Sequence, residues 1–274
     1  MPSYRGHLDK MPSALAEPVR YWLALDGARL PLNELLGARL RITYGGVIHC
    51  THCGRATRKS FGEGYCYPCF RRLAECDLCV LSPDRCHFDA GTCRDPEWAA
   101  GFCMTGHLVY LANSSGVKVG ITRAGQVPTR WIDQGASQAL PIVRTRTRQQ
   151  AGLVEAVLRR EVRDTTDWRA MLKGSAPPVD LAAARDRLLE RCAAEFAQLT
   201  ERFGVQAMQP IAGAEVVAIT YPVREYPLRV TAWNLDKTPE VAGRLLGIKG
   251  QYLIFDGGVL NVRKFTGYEV GVEC

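Results

Sequence analysis

Residues 107–122 read His107-Leu-Val-Tyr-Leu-Ala-Asn-Ser-Ser-Gly-Val-Lys-Val-Gly-Ile-Thr122. Two apolar runs, 107–113 and 117–122, flank Ser114-Ser115-Gly116, and this arrangement predicts a β-hairpin. Downstream, Pro128 precedes a short helix over 130–134. Residues 148–163 carry Leu153, Val154, Val157, Leu158 and Val162 at helical spacing, which leaves Glu155 turned from the centre of the apolar face. Asp180 is placed to cap a long helix that reaches Phe203. Its buried stripe is Leu181, Leu188, Cys192, Phe196 and Leu199, and Gly204 stops it.

Outward from this centre, both ends of the chain read as β structure. Residues 19–25 and 36–49 are strand-like, with Asp26-Gly27 and Gly45-Gly46 as turns. After residue 204 come short β runs at 216–221, 228–232, 243–248, 252–255, 259–263 and 268–272, with Asp256-Gly257-Gly258 as a strong hairpin turn. Such a pattern predicts a small β barrel or a curled sheet. Residues 41–48 loosely echo 252–260, so the two ends are candidates for one discontinuous β module. The whole is expected to be α+β, in four parts. Residues 1–49 form an N-terminal β segment, 50–103 a zinc-binding segment, 104–204 a hairpin-and-helix domain, and 205–274 a small β domain.

Nine of the eleven cysteines lie between Cys50 and Cys103. Cys50-x-x-Cys53 and Cys66-x-x-Cys69 are twelve residues apart, with Gly54 directly after the first pair. A C-x-x-C turn folds two thiolates onto one side of a tight loop, and two such knuckles complete a closed tetrahedral zinc site. A second cluster follows: Cys76-x-x-Cys79, then Cys86, His87, Cys93, Cys103 and His107. Cys76, Cys79, Cys86 and Cys93 are taken as ligands of a second zinc, with His87, Cys103 and His107 in reserve. An iron–sulfur cluster would also accept four thiolates, but paired knuckles on polar, glycine-containing turns suit zinc better. Large aliphatic residues are scarce over 51–101, so both Zn²⁺ ions are expected to be structural and to replace a hydrophobic core.

Composition narrows the class. The chain has 274 residues, 47% of them hydrophobic and 23% charged, which excludes a disordered polymer and a fibrous repeat. No apolar run is long enough to span a membrane. The first ten residues are polar and lack an apolar signal core, so a cytoplasmic protein is expected. Net charge is +7. Residues 104–173 alone hold eleven Lys and Arg against five Asp and Glu, a local basic excess that favours an anionic partner.

The hairpin segment resembles the core of the GIY-YIG endonuclease superfamily. In that resemblance Val109-Tyr110-Leu111 stands for the tyrosine motif of the first strand, and Lys118-Val119-Gly120 for the glycine-ending motif of the second. Arg130 stands for the arginine of the following helix, and Glu155 for the glutamate of a later one. Lys118 occupies the place where better-known members have a second tyrosine. Over its whole length the chain is also similar to a bacterial family of uncharacterised proteins with a zinc-ribbon segment. The phrases Arg130-Trp-Ile-Asp-Gln-Gly-Ala136 and Gly247-Ile-Lys-Gly-Gln-Tyr252 carry that likeness, which names no activity.

The superfamily resemblance implies a metal-dependent nuclease acting on phosphodiester bonds of DNA or RNA. Glu155 would hold one Mg²⁺ or Mn²⁺ as a hard oxygen ligand. Arg130 would meet two phosphoryl oxygens with its planar fork. Tyr110 would activate water if Lys118 or the metal lowered its pKa from about 10. Gly120 would let the backbone approach closely. Arg144, Arg146, Arg148 and Arg159, followed by Arg160 and Arg163, would track phosphates, with Trp131 and Trp168 as stacking platforms. A non-catalytic nucleic-acid-binding protein is the alternative; a zinc-stabilised protein-interaction adaptor is a third reading and leaves the arginines without a role.

Overall fold

The computed structural model describes residues 3–274; Met1 and Pro2 of the N-terminal segment lie outside the described residues. The chain opens with β1 (Ser3–His7), β2 (Ser13–Ala14), and a hairpin of β3 (Arg20–Leu25) and β4 (Ala28–Pro31). Asp26 and Gly27 connect that hairpin with φ of 48° and 86°, the left-handed pair that matches the twist of the strands it joins. β5 (Arg39–His49) runs unbroken through Gly45-Gly46. The expected turn there is instead a bulge: Gly46 adopts φ 86°, and the register against the last strand slips between Tyr268 and Val270.

The cysteine-rich segment is mostly loops and short helices: β6 (Ala56–Thr57), α1 (Tyr67–Arg72), α2 (Leu78–Leu81) and α3 (Pro96–Phe102). Its buried apolar residues over 51–101 are Cys66, Cys69, Ala74, Pro83 and Ala99, with no large aliphatic side chain among them. Next comes the hairpin of β7 (His107–Asn113) and β8 (Val117–Arg123), then α4 (Thr129–Asp133) and β9 (Gln138–Thr145). α5 (Arg148–Leu158) starts at a reciprocal cap, in which Thr147 accepts from the Gln150 backbone and Gln150 reaches back. It ends five residues before the expected Arg163. α6 (Trp168–Lys173) precedes α7 (Leu181–Arg191), capped by Asp180 as expected, and α8 (Ala193–Phe203). The single long helix expected here is therefore two, broken at Cys192.

The tail contributes β10 (Met208–Pro210), β11 (Val217–Ala218), β12 (Glu240–Lys249), β13 (Tyr252–Phe255), β14 (Val259–Asn261) and β15 (Tyr268–Glu273). Residues 228–232 form no strand, and Leu228 is 97% exposed. The principal sheet has the order β1-β15-β5-β12-β13-β14, so both chain ends interleave in it. It is open rather than a closed barrel, because β1 and β14 are its ends. A second sheet, β10-β9-β7-β8 with β11 beside β9, is built on the central hairpin.

Strand β7 is buried along its whole length, and its two faces serve two cores. Val109 and Leu111 pack with α5 and α7 through Ala151, Val154, Leu158, Leu181 and Leu188. Tyr110 and Ala112 face the other way, into a core shared with Trp131 of α4 and with the principal sheet. This alternation sends Tyr110 towards α4 and away from α5. Among the described residues no helix is long and apolar enough to cross a membrane.

Candidate active site and metal centres

Cys50 directly follows the long β5 strand, Cys53 sits in the turn closed by the Gly54 backbone donating to the Cys50 carbonyl, Cys66 caps α1 and Cys69 lies in its first turn. Their four sulfurs lie within 4.8 Å of one another, and Cys53 and Cys66 Sγ are 3.8 Å apart. A zinc ion with bonds of ~2.3 Å sets tetrahedral sulfurs about 3.8 Å apart. The four residues could hold one zinc ion. Burial pushes the Cys69 thiol up to about 12, helped by hydrogen bonds to the other three thiols. Against burial, backbone donors of Cys53, Cys66 and His52 hold Cys50 down to about 6. Four thiolates at this spacing need a cation between them, and the donor set fits zinc.

The second cluster divides. Cys79, Cys86, Cys93 and Cys103 line one cavity, while Cys76 does not. The charge of Cys76 is felt by Tyr65 together with that of Cys50, on the side of the first site. The cause is local: Cys66 is the N-cap of α1, so Cys69 follows it onto one face, whereas Asp77 and not Cys76 caps α2. Cys79 comes within 4.8 Å of Asp77 and His87. Both of those are engaged elsewhere, Asp77 with Arg94 at 2.6 Å and His87 Nδ1 with Thr92 Oγ1 at 2.8 Å. His107 is fully buried, with Nδ1 on the Thr105 carbonyl, and burial lowers its pKa to about 4.

Gly120, Arg130 and Glu155 line a cleft of about 400 Å³ on β8, α4 and α5. Tyr110 and Lys118 lie behind it, both buried. Tyr110 stands directly opposite Gly120 across the hairpin and donates to Gln134 Oε1 at 3.0 Å, while the nearby Arg130 charge acts on the phenol. A Cβ on Gly120 would sit 2.7 Å from the Tyr110 hydroxyl. The glycine is thus required by the tyrosine behind it, a reason different from the close backbone approach expected from sequence.

The charges are strongly coupled by burial. Desolvation and the neighbouring Asp164 push Glu155 up to about 7, although Arg159, Arg148 and Arg130 act in the opposite sense. Burial and Arg130 bring Lys118 down to about 8 against Glu155 and Asp164. Burial also pushes Tyr110 up to about 12. That direction opposes the expectation that Tyr110 acts as a base through a lowered pKa; near neutral pH it is a phenol that orients Arg130 and Gln134.

Other candidate residues separate in space. Trp131 is 2% exposed in the core between the sheets, so it offers no stacking platform. Trp168 stacks on Tyr252 at 5.6 Å. Arg144 and Arg146 flank a separate hollow beside Gln206 and Gln209. Arg148 lines the cleft, and Arg159 pairs with Asp164 at 3.3 Å. The cleft also recruits Lys10, Arg123, Asp133, Asp164 and Arg263, none of which was singled out from sequence. Arg123 directly follows the glycine-bearing strand and could have been noticed; Lys10 and Arg263 arrive only through the interleaved terminal sheet. Five cations thus face three carboxylates, and one of these, Asp133, is already paired with Lys10.

The chain matches, over residues 37–270, the family described as "Protein of unknown function (DUF2797)", and it belongs to that family. No curated protein and no solved structure matches it.

Proposed function

We propose that this DUF2797 chain is a nuclease-like protein of the GIY-YIG type that acts on phosphodiester bonds of DNA or RNA, with a structural zinc at Cys50, Cys53, Cys66 and Cys69. The observation that carries the reading is one cleft reached by Gly120, Arg130 and Glu155, with Tyr110 held against its floor. The basic excess around the cleft suits a polyanion.

Glu155, with Asp164 beside it, would hold Mg²⁺ or Mn²⁺, which when bound supplies Lewis acidity and a lowered pKa for water. Arg130 presents a guanidinium fork for two phosphoryl oxygens, and charge developing there in the transition state is where it contributes most. Tyr110 fixes Arg130 from behind and stays protonated. Burial and Asp164 raise the Glu155 pKa, and a bound divalent cation would offset both, holding Glu155 as the carboxylate that ligates it.

Lys118 favours a second reading, a nucleic-acid-binding scaffold without catalysis. Its buried ammonium acts on Glu155 where a metal's charge would act. One experiment separates the two: cleavage of radiolabelled duplex and single-stranded DNA and RNA with Mg²⁺ or Mn²⁺, by wild type and Glu155→Gln. Divalent-dependent cleavage lost in the variant, with binding kept, supports the enzyme. Binding without cleavage by the folded, zinc-loaded wild type leaves the scaffold.

A further inference from the structure

The four thiols of Cys79, Cys86, Cys93 and Cys103 approach one cavity from different pieces of chain: α2, the turn after Pro83–Arg85, the loop before α3, and the C-cap of α3. The cavity is otherwise walled largely by apolar groups such as Phe88, Trp98 and Met104. The spacing of the four thiols differs from that of the first site. Cys79 gathers Asp77 and His87 within 4.8 Å, a group that Cys86, Cys93 and Cys103 do not join. A single zinc ion needs its sulfurs about 3.8 Å apart. An iron–sulfur cluster keeps its four cysteine sulfurs farther apart, because several metal atoms and bridging sulfides lie between them.

We propose that Cys79, Cys86, Cys93 and Cys103 hold an iron–sulfur cluster, distinct from the zinc site, and that Cys76 takes no part in it. Such a cluster is anionic; Arg94, paired with Asp77, lines the cavity, and Arg148 lies beside Cys103. The Arg148 backbone donates to the Cys103 carbonyl at 2.7 Å, and its Nε is buried without a partner. Gln149 donates to the Cys86 carbonyl at 3.2 Å, and Arg148 also reaches the Val80 carbonyl. The thiol-bearing loops are thereby tied to the first turn of α5, and Pro83 lies 2.6 Å from where a Gly152 Cβ would be. The cluster would brace the helix that carries Glu155. The assignment does not depend on the nuclease-like reading, since its readout is metal content.

The test is elemental analysis of full-length protein made in iron-replete cells and purified without oxygen, with acid-labile sulfide and visible absorption measured on the same sample. The expected result is one zinc, iron and sulfide in equal amounts, and a broad charge-transfer band. Cys93→Ser and Cys103→Ser should lose iron and the band, and Cys76→Ser should keep both. A second zinc in place of iron, no iron at all, or iron lost from Cys76→Ser and kept by Cys103→Ser would each overturn the proposal. The wild-type measurement decides even if a ligand variant fails to fold.

Discussion

Replacing Glu155 with glutamine separates what the carboxylate costs the fold from what it does in the cleft. Burial and Asp164 raise its pKa from 4.5 to about 7. A shift of about 2.5 units at ~1.36 kcal/mol each sets a ceiling of about 3 kcal/mol. Solvent reaching the group through the cleft reduces this to roughly 1–2 kcal/mol. The sign follows from a folded pKa above the unfolded one. The penalty is fully present above pH 7, and it fades as pH falls through 7 towards 4.5, because the folded state takes up its proton first. Urea unfolding of Glu155→Gln at pH 8, without added divalent ions, should therefore show a protein more stable than wild type by about 1–2 kcal/mol. The advantage should largely close at pH 5. Added Mg²⁺ or Mn²⁺ should stabilise wild type and leave the variant unmoved. A variant less stable than wild type at pH 8 would mean that Lys118 and the arginines already compensate the charge, and the argument from desolvation would fail.

Arg130→Ala should lower divalent-dependent cleavage by ~10²–10³-fold, the usual loss for one transition-state donor, measured on a single labelled substrate. Tyr110→Phe should cost less, and its pH–rate profile should match wild type, since a phenol with a pKa near 12 does not titrate in the working range; a shifted profile would restore Tyr110 as a proton carrier. Arg123→Ala and Arg263→Ala should each flatten the log–log salt dependence of nucleic-acid binding by about 0.7–0.9. Arg144→Ala and Arg146→Ala, on the separate hollow, should leave that slope unchanged. Cys50→Ser or Cys69→Ser should remove zinc and unfold the segment around it, followed by zinc analysis and limited proteolysis, because few apolar contacts remain there to hold it.

What could be read from the amino acids follows how local each determinant is. The 107–122 hairpin was legible because its apolar runs and small polar turn are self-contained. So was the first cysteine set, whose two knuckles are each four residues long. The break at Cys192 was invisible because Leu188, Cys192, Phe196 and Leu199 continue one helical stripe across it, whichever way the backbone bends. Trp131 misled for a different reason. Its arginine neighbours suggest a surface, yet the helix is short and turns that one ring into the core against Tyr110. In the Cys76–Cys79 pair the spacing matched the first knuckles, but Asp77 takes the capping position, leaving Cys76 in the preceding turn and Cys79 on α2. Spacing reports a possible knuckle; the cap decides whether it forms.

The cleft itself is assembled from three parts of the chain, and this bears on what its metal-bearing neighbour is for. Val80, Leu81 and Pro83 come from the cysteine-rich segment, Lys10 and Arg263 from the interleaved terminal sheet, and Gly120, Arg130 and Glu155 from the central domain. The first of these walls has almost no hydrophobic core of its own. Its position is set by α5, through Arg148 and Gln149, and the proposed metal centre would fix it from the other side. The start of α5 is thus tied to the thiol-bearing loops, while Arg148 itself and Glu155, further along the same helix, line the cleft. A short helix pinned at its first turn holds a carboxylate two turns on within a narrow range, and a nuclease-like site needs its carboxylate placed that closely. Loss of the thiol-bound centre should therefore loosen the cleft before it unfolds the sheets, because the sheets draw their stability from cores the cysteine segment barely touches.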